Sequence, residues 1–198
     1  MSPRLVLASQ SPSRRMILES GGVTPVVRPA DIDEDGLLAS LIDEEPATKV
    51  AALAQGKAEV IVPEFPDDVV VGCDSMLLLD GHLVGKPLTV QRTIERWKAQ
   101  RGKTAQLLTG HAVCYRGQWK VETVSTAVHF GNVSDADIEA YAASGEPLGC
   151  AGAFTLESLG SWFIDGIEGD PTSVIGISLP LLRRMVYSFG LNASDFWS

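Results

Sequence analysis

Histidine and cysteine are scarce in this chain, three of each in 198 residues, and neither is spaced to hold a metal. His82, His111 and His129 lie far apart, without the short repeats that build a zinc site, so core or surface roles are expected of them. Cys73, Cys114 and Cys150 are odd in number and set in apolar sequence, which predicts buried free thiols rather than a disulfide framework. Basic residues are outnumbered, 16 Lys and Arg against 25 Asp and Glu, for a net charge of −9. That balance argues against a nucleic-acid partner, since a duplex binder needs a basic face that releases counterions. No apolar run nears the roughly 18 residues of a bilayer span, and Arg4 is followed by too few apolar residues for a signal-peptide core. A cytoplasmic chain with no membrane partner is expected.

Glycine motifs for nucleotides are missing too. Gly81-His-Leu-Val-Gly85-Lys86-Pro87 has one residue too few between its glycines and proline where a P-loop needs Ser or Thr. Gly102-Lys103-Thr104 has Trp97 where the leading glycine belongs, and no G-x-G-x-x-G occurs, so a P-loop phosphotransferase and a Rossmann dinucleotide site are disfavoured.

What is present is a globular composition, 45% hydrophobic and 21% charged, long enough for one large domain or two small lobes sharing a core. Strands and helices alternate without repeats. Leu5 to Ala8 reads as a buried strand, Arg14 to Ser20 as a helix stopped by Gly21-Gly22, and Val23 to Val27 as a short strand leading into an acidic loop, Asp31 to Asp35. Pro46 to Ile61 has helical spacing, with Val50, Leu53, Ala54 and Ala58 on one face and Lys57 beside it. Val69 to Asp74 is an apolar run ending in a carboxylate, followed by a hairpin at Asp80-Gly81. A helix over Val90 to Gln100, two long strands around Arg116-Gly117 and a helix over Asp135 to Ser144 follow. Two strands framing Ser158 to Gly160 and a last helix from Ser178-Leu-Pro180 to near Gly190 complete the reading. This is an α/β or α+β pattern, a sheet covered by helices, with no linker cutting it in two.

Several polar residues stand where structure alone does not ask for them. Ser9-Gln-Ser11-Pro12-Ser13-Arg14-Arg15 gathers hydroxyls, backbone N–H groups and guanidinium forks at one helix start, which suits a phosphate. The same letters also describe a plain helix capped by Ser11 with Pro12 at its first position. Asp74 either sits at the mouth of a buried strand, where ligands of open α/β sheets bind, or begins the hairpin. Lys86 before Pro87 is an extended residue at a loop rim, and Glu34 belongs to a solvated acidic loop or to a metal.

Taken together, Ala8-Ser9-Gln-Ser11-Pro12-Ser-Arg14-Arg15, Asp33-Glu34, Ala54-x-x-Lys57-Ala58, Gly72-Cys-Asp74, Gly85-Lys86-Pro87, Leu108-Thr109-Gly110, Tyr141, Gly145-Glu146-Pro147, Ala151-Gly152-Ala-Phe154 and Gly169-Asp170 with Val174-Ile-Gly176 resemble the Maf family of nucleotide pyrophosphatases, in order and spacing, from the first strand to the last helix. The resemblance implies one Maf-like domain over residues 1–198. It also implies a two-lobed α/β fold related to inosine triphosphatases, with a mixed twisted sheet flanked by helices and an active-site cleft between the lobes. The activity implied is house-cleaning hydrolysis of a nucleoside triphosphate to the monophosphate and pyrophosphate with a divalent cation, Mg or Mn. A homodimer is a possible assembly. At matching positions Arg14, Lys57 and Lys86 are phosphate clamps, Ser9 a hydroxyl donor, Asp74 the general base and, with Glu34, a metal ligand, a carboxylate pair that suits a hard cation. Ser13, Ser75 and Glu157 fall at substrate-binding positions. Ser13 and Glu157 depart from the branch that acts on dTTP and UTP and resemble the 7-methyl-GTP branch, while Ser75 matches neither. A glutamate only accepts hydrogen bonds, which favours guanine or cytosine edges over uracil. A regulatory binding protein in septum arrest is the alternative; the intact cation and carboxylate set speaks for an enzyme.

Overall fold

The computed structural model describes residues 3–198. It is an α/β chain whose mixed sheet is flanked by helices. The strands are β1 (Leu5–Leu7), β2 (Val26–Val27), β3 (Val69–Leu79), β4 (His82–Val84), β5 (Thr104–Tyr115), β6 (Gln118–Phe130) and β7 (Ile164–Glu168). They follow the order β2-β1-β3-β5-β6-β7, with β4 paired to β3. β1 runs parallel to both neighbours, Val6 opposite Val26 and Val70, whereas β4 and β7 pair antiparallel with β3 and β6. The hairpins turn at Asp80-Gly81 and Arg116-Gly117, where both central residues have positive φ, the two-residue turn whose twist matches the strands.

The chain divides into two compact units. One holds the chain through Asp74 with Thr109–Val124 and Gly176–Ser198, the other Ser75–Leu108 with Ser125–Ile175. No linker separates them, because β3, β5 and β6 each pass from one unit into the other.

In the first unit, α1 (Pro12–Ser20) begins as the sequence predicts, with Pro12 in its first turn and the Ser11 side chain accepting from the Arg14 amide. The expected strand from Val23 shrinks to Val26–Val27, since Val23 instead bridges Trp197 near the C-terminus. The acidic stretch is a loop only through Asp33, and Glu34 and Asp35 open a helix. Asp33 caps α2 (Glu34–Ser40) by accepting from the Gly36 amide at 2.9 Å, and Glu34 and Asp35 in its first turn suit the helix dipole. α3 (Pro46–Ile61) buries Val50, Leu53, Ala54, Ala58 and Ile61. Its seat is unusually close: a Cβ at Gly72 of β3 would lie 2.1 Å from the Ala54 carbonyl oxygen, and one at Gly110 of β5 would lie 2.4 Å from that of Val50. Two bare strand positions therefore let helix backbone touch sheet backbone, and the core around them is built from Val6, Ala8, Ala54, Ala58, Val70 and Ala112. α7 (Leu179–Ser188) closes this unit, its N-terminus capped by Ser178.

The second unit packs α4 (Val90–Gln100) and α5 (Asp135–Ala143) around Trp97. That indole is fully buried, meets Phe130, Tyr141 and Phe163 edge-on, and donates to the Ala153 carbonyl at 2.7 Å. Here the sequence reading needs correction. The residues around Ser158 to Gly160 are not framed by two strands; 3₁₀ turns at Glu146–Gly149, Ala151–Ala153 and Leu159–Phe163 precede the single strand β7, because backbone groups there bond to side chains rather than to a neighbouring strand. The short helix α6 (Pro171–Ile175) was not foreseen. Cys73 and Cys114 are buried free thiols as expected, while Cys150 is half-buried. No helix among the described residues is long and apolar enough to cross a membrane.

Candidate active site

Two clusters in the first unit bring together five of the residues singled out by sequence. Ser9, just beyond β1, accepts hydrogen bonds from Arg14 Nη1 at 2.9 Å and from the Ser11 amide at 3.2 Å. With both lone pairs of its oxygen occupied, the hydroxyl proton is the part left to give to a ligand. Arg14 comes from the first turn of α1 and is steadied by its Nε, which donates to the Gly176 carbonyl at 2.9 Å. Two residues on, the chain is anchored as well: the Ser178 amide donates to His111 Nε2 at 2.8 Å, and His111 Nδ1 lies 3.0 Å from the Thr109 carbonyl. The pattern assigns the imidazole proton to Nδ1, making His111 a satisfied core histidine.

The second cluster centres on Lys57. Its ammonium lies 2.6 Å from Asp74 Oδ1 and 2.8 Å from Glu34 Oε1. Asp74 is not at a strand's mouth, nor does it open the hairpin: β3 runs on to Leu79, so the carboxylate projects from the middle of an eleven-residue strand. A buried strand residue cannot shed its charge to water. Burial pushes the Asp74 pKa above the usual carboxylate value, against the pull of Lys57 and Arg14 and with a further push from Glu34. Arg14, Lys57, Glu34 and Asp74 thus act within one electrostatic neighbourhood.

Lys86 and Glu157 belong to the second unit and are both exposed. They share the surroundings of Cys150, whose thiol is pushed up to about 11, chiefly by burial and then by Glu157 and Glu146, with Lys86 pulling the other way. Glu157 Oε2 accepts from the Leu156 amide at 3.0 Å. Ser13 is half-buried in the first turn of α1, and Ser75 is half-buried on β3 directly after Asp74. Sequence reasoning gave no task to Glu146, whose carboxylate gathers Tyr141, Thr155, Leu159 and Gly160; its place between Gly145 and Pro147 was the one available signal.

The donor set fits a hard divalent ion. Glu34 and Asp74 already converge on one cation, the Lys57 ammonium, and each engages it through one oxygen. No group of three or more His, Cys, Asp or Glu that could hold a metal occurs among the described residues. Two carboxylates, with the remaining positions left to water and phosphate, is the usual holding of magnesium.

Known proteins resemble this chain from end to end. The family model described as "Maf-like protein" matches residues 4–189. A protein of Corynebacterium efficiens named nucleoside triphosphate pyrophosphatase is 64% identical over 195 residues, covering 98% of this chain and 99% of its own. One of the same name from Corynebacterium diphtheriae is 64% identical over 194 residues, covering 98% of each. Another, from Rhodococcus opacus, is 50% identical over 204 residues, covering 98% of this chain and 95% of its own. With a family match across most of its length and relatives this similar from end to end, the chain belongs to the Maf family.

Proposed function

We propose that this chain is a nucleoside triphosphate pyrophosphatase in which Asp74 directs water onto the α-phosphorus, residues 1–198 acting as one catalytic domain. The observation that carries the reading is the Lys57 ammonium bridging Asp74 and Glu34 while the charge of Arg14 also reaches Asp74. A buried carboxylate, Asp74, and an exposed one, Glu34, facing fixed cations suit a reaction that must bring water to a polyanion.

Asp74, with its affinity for protons raised by burial, orients the attacking water and takes its proton. Arg14 and Lys57 carry the charge of the phosphates, and Ser9, its oxygen already occupied by Arg14 and Ser11, donates its proton to a phosphate oxygen. Lys86 is assigned to the phosphates on its charge and exposure. Glu34 and Asp74 would hold a magnesium or manganese ion, which supplies charge neutralisation to the polyphosphate when bound. Ser13, Ser75 and Glu157 are assigned to the nucleoside. The Glu157 carboxylate is exposed and accepts only, which fits the adjacent N1–H and N2–H₂ donors of guanine and supports a preference of the 7-methyl-GTP kind.

Hydrolysis in ¹⁸O-labelled water tests the chemistry. Attack at the α-phosphorus puts the label in the monophosphate and releases unlabelled pyrophosphate; a diphosphate with labelled orthophosphate as primary products would overturn the assignment.

A further inference from the structure

The segment that carries Glu157 is fastened by one carboxylate. Glu146 Oε1 accepts from Tyr141 Oη at 3.0 Å, from Thr155 Oγ1 and from the Gly160 amide at 3.1 Å, and its Oε2 accepts from the Leu159 amide at 3.1 Å. Its partners at 155 and at 159–160 flank Glu157, so the side chain closes that loop from both ends. Thr155 Oγ1 also accepts from the Gly160 amide at 3.2 Å. The closure is tight: a Cβ at Gly160 would lie 2.5 Å from the Thr155 carbonyl and 2.6 Å from Tyr141 Oη. Tyr141 is itself set in the aromatic core, 5.3 Å from the Phe163 ring and 5.8 Å from Trp97.

Every partner of Glu146 here is a donor, and a carboxylate alone among side chains of this length accepts from all of them. A glutamine of equal size would turn two N–H groups toward other donors. Burial pushes the Glu146 pKa up, but the bonds from Thr155, Gly160, Ser158 and Leu159 outweigh it and bring it down to about 2.

We propose that Glu146 is a positioning residue for base selection, holding the 155–160 loop in the one conformation that presents Glu157 to the nucleobase. The proposal rests on Glu157 as the base-reading residue. It predicts that loosening Glu146 acts through Glu157 and therefore changes which nucleotide is preferred.

The test measures kcat/KM for 7-methyl-GTP and for UTP with the full chain and its E157Q, E146Q, T155V and E146Q/E157Q variants. The ratio of the two constants is independent of how much protein is folded, so a merely structural loss leaves it unmoved. E157Q is expected to move the ratio toward UTP by about tenfold, E146Q by roughly three- to tenfold in the same direction, and T155V, which removes only one of the bonds to the Glu146 carboxylate, by less. In the E157Q background E146Q is expected to add nothing, since residues acting as a unit are not additive. A ratio moved by E157Q but not by E146Q or T155V, or an E146Q shift that persists in the double variant, overturns the positioning role and leaves base reading by Glu157 standing. A ratio unmoved by E157Q overturns both. If E146Q does not fold, T155V decides.

Discussion

Asp74 must stay charged in surroundings that penalise charge, and the two cations beside it are what make this tolerable. D74N keeps the volume but cannot accept a proton, so kcat at saturating magnesium is expected to fall by roughly 10²- to 10⁴-fold. Folding should survive, since the neutral amide escapes the burial penalty and Lys57 keeps Glu34 at 2.8 Å. Turnover near that of the unaltered chain, with an unchanged thermal midpoint, would remove Asp74 from the chemistry. At this scale the sequence was legible where a charged residue interrupts an apolar pattern: Asp74 after three valines, Arg14 after a capping serine, Lys57 on the edge of an alanine face. It gave no role to Glu146, whose partners lie up to fourteen positions away and leave no local periodicity.

Helix α3 is the element that brings Lys57 to Asp74, and its height above the sheet is set by Gly72 and Gly110. G72A puts a methyl group 2.1 Å from the Ala54 carbonyl oxygen, which only a backbone shift can relieve, at a cost of about 1–3 kcal/mol for overpacking. The shift lifts Lys57 with the helix, so activity per folded molecule should fall as well. G56A, within the same helix, is the contrasting case. Its Cβ would meet only the ends of Ile32 and Leu37 at 3.4 and 3.5 Å, and it should stabilise by roughly 0.5–1 kcal/mol through helix propensity. Urea midpoints moving in opposite directions for the two variants would bear this out; a harmless G72A would refute the seat. The helices were legible from caps and apolar spacing, as α1, α3, α4 and α7 show. Expectation failed where side chains took over backbone hydrogen bonds: Asp33 turning the end of the acidic stretch into α2, and Glu146 replacing an expected strand pairing with turns.

Across the whole molecule, two carboxylates pull the pH dependence of stability in opposite directions. Glu146 is held down at about 2 against an ordinary 4.5, so the stability it contributes is fully present above 4.5 and is lost as the pH falls toward 2. Asp74 is raised, so its protonation as the pH falls through its own folded value adds stability instead. Thermal midpoints between pH 5 and 2 should therefore fall less steeply for E146Q than for the unaltered chain, whereas D74N should fall more steeply. Parallel curves for all three proteins would show that neither group is linked to folding. Where the chain divides into its two units was not legible, because the boundaries fall inside the strands β3, β5 and β6 rather than at a linker; two lobes were expected only from the family resemblance.

The seat of α3 has one more consequence. Hydrostatic pressure unfolds proteins by removing internal voids, and a contact of backbone on backbone at Gly72 and Gly110 leaves little void to remove. Compression should then spare the spacing of Lys57 and Asp74, and turnover is expected to persist with rising pressure until the fold itself gives way.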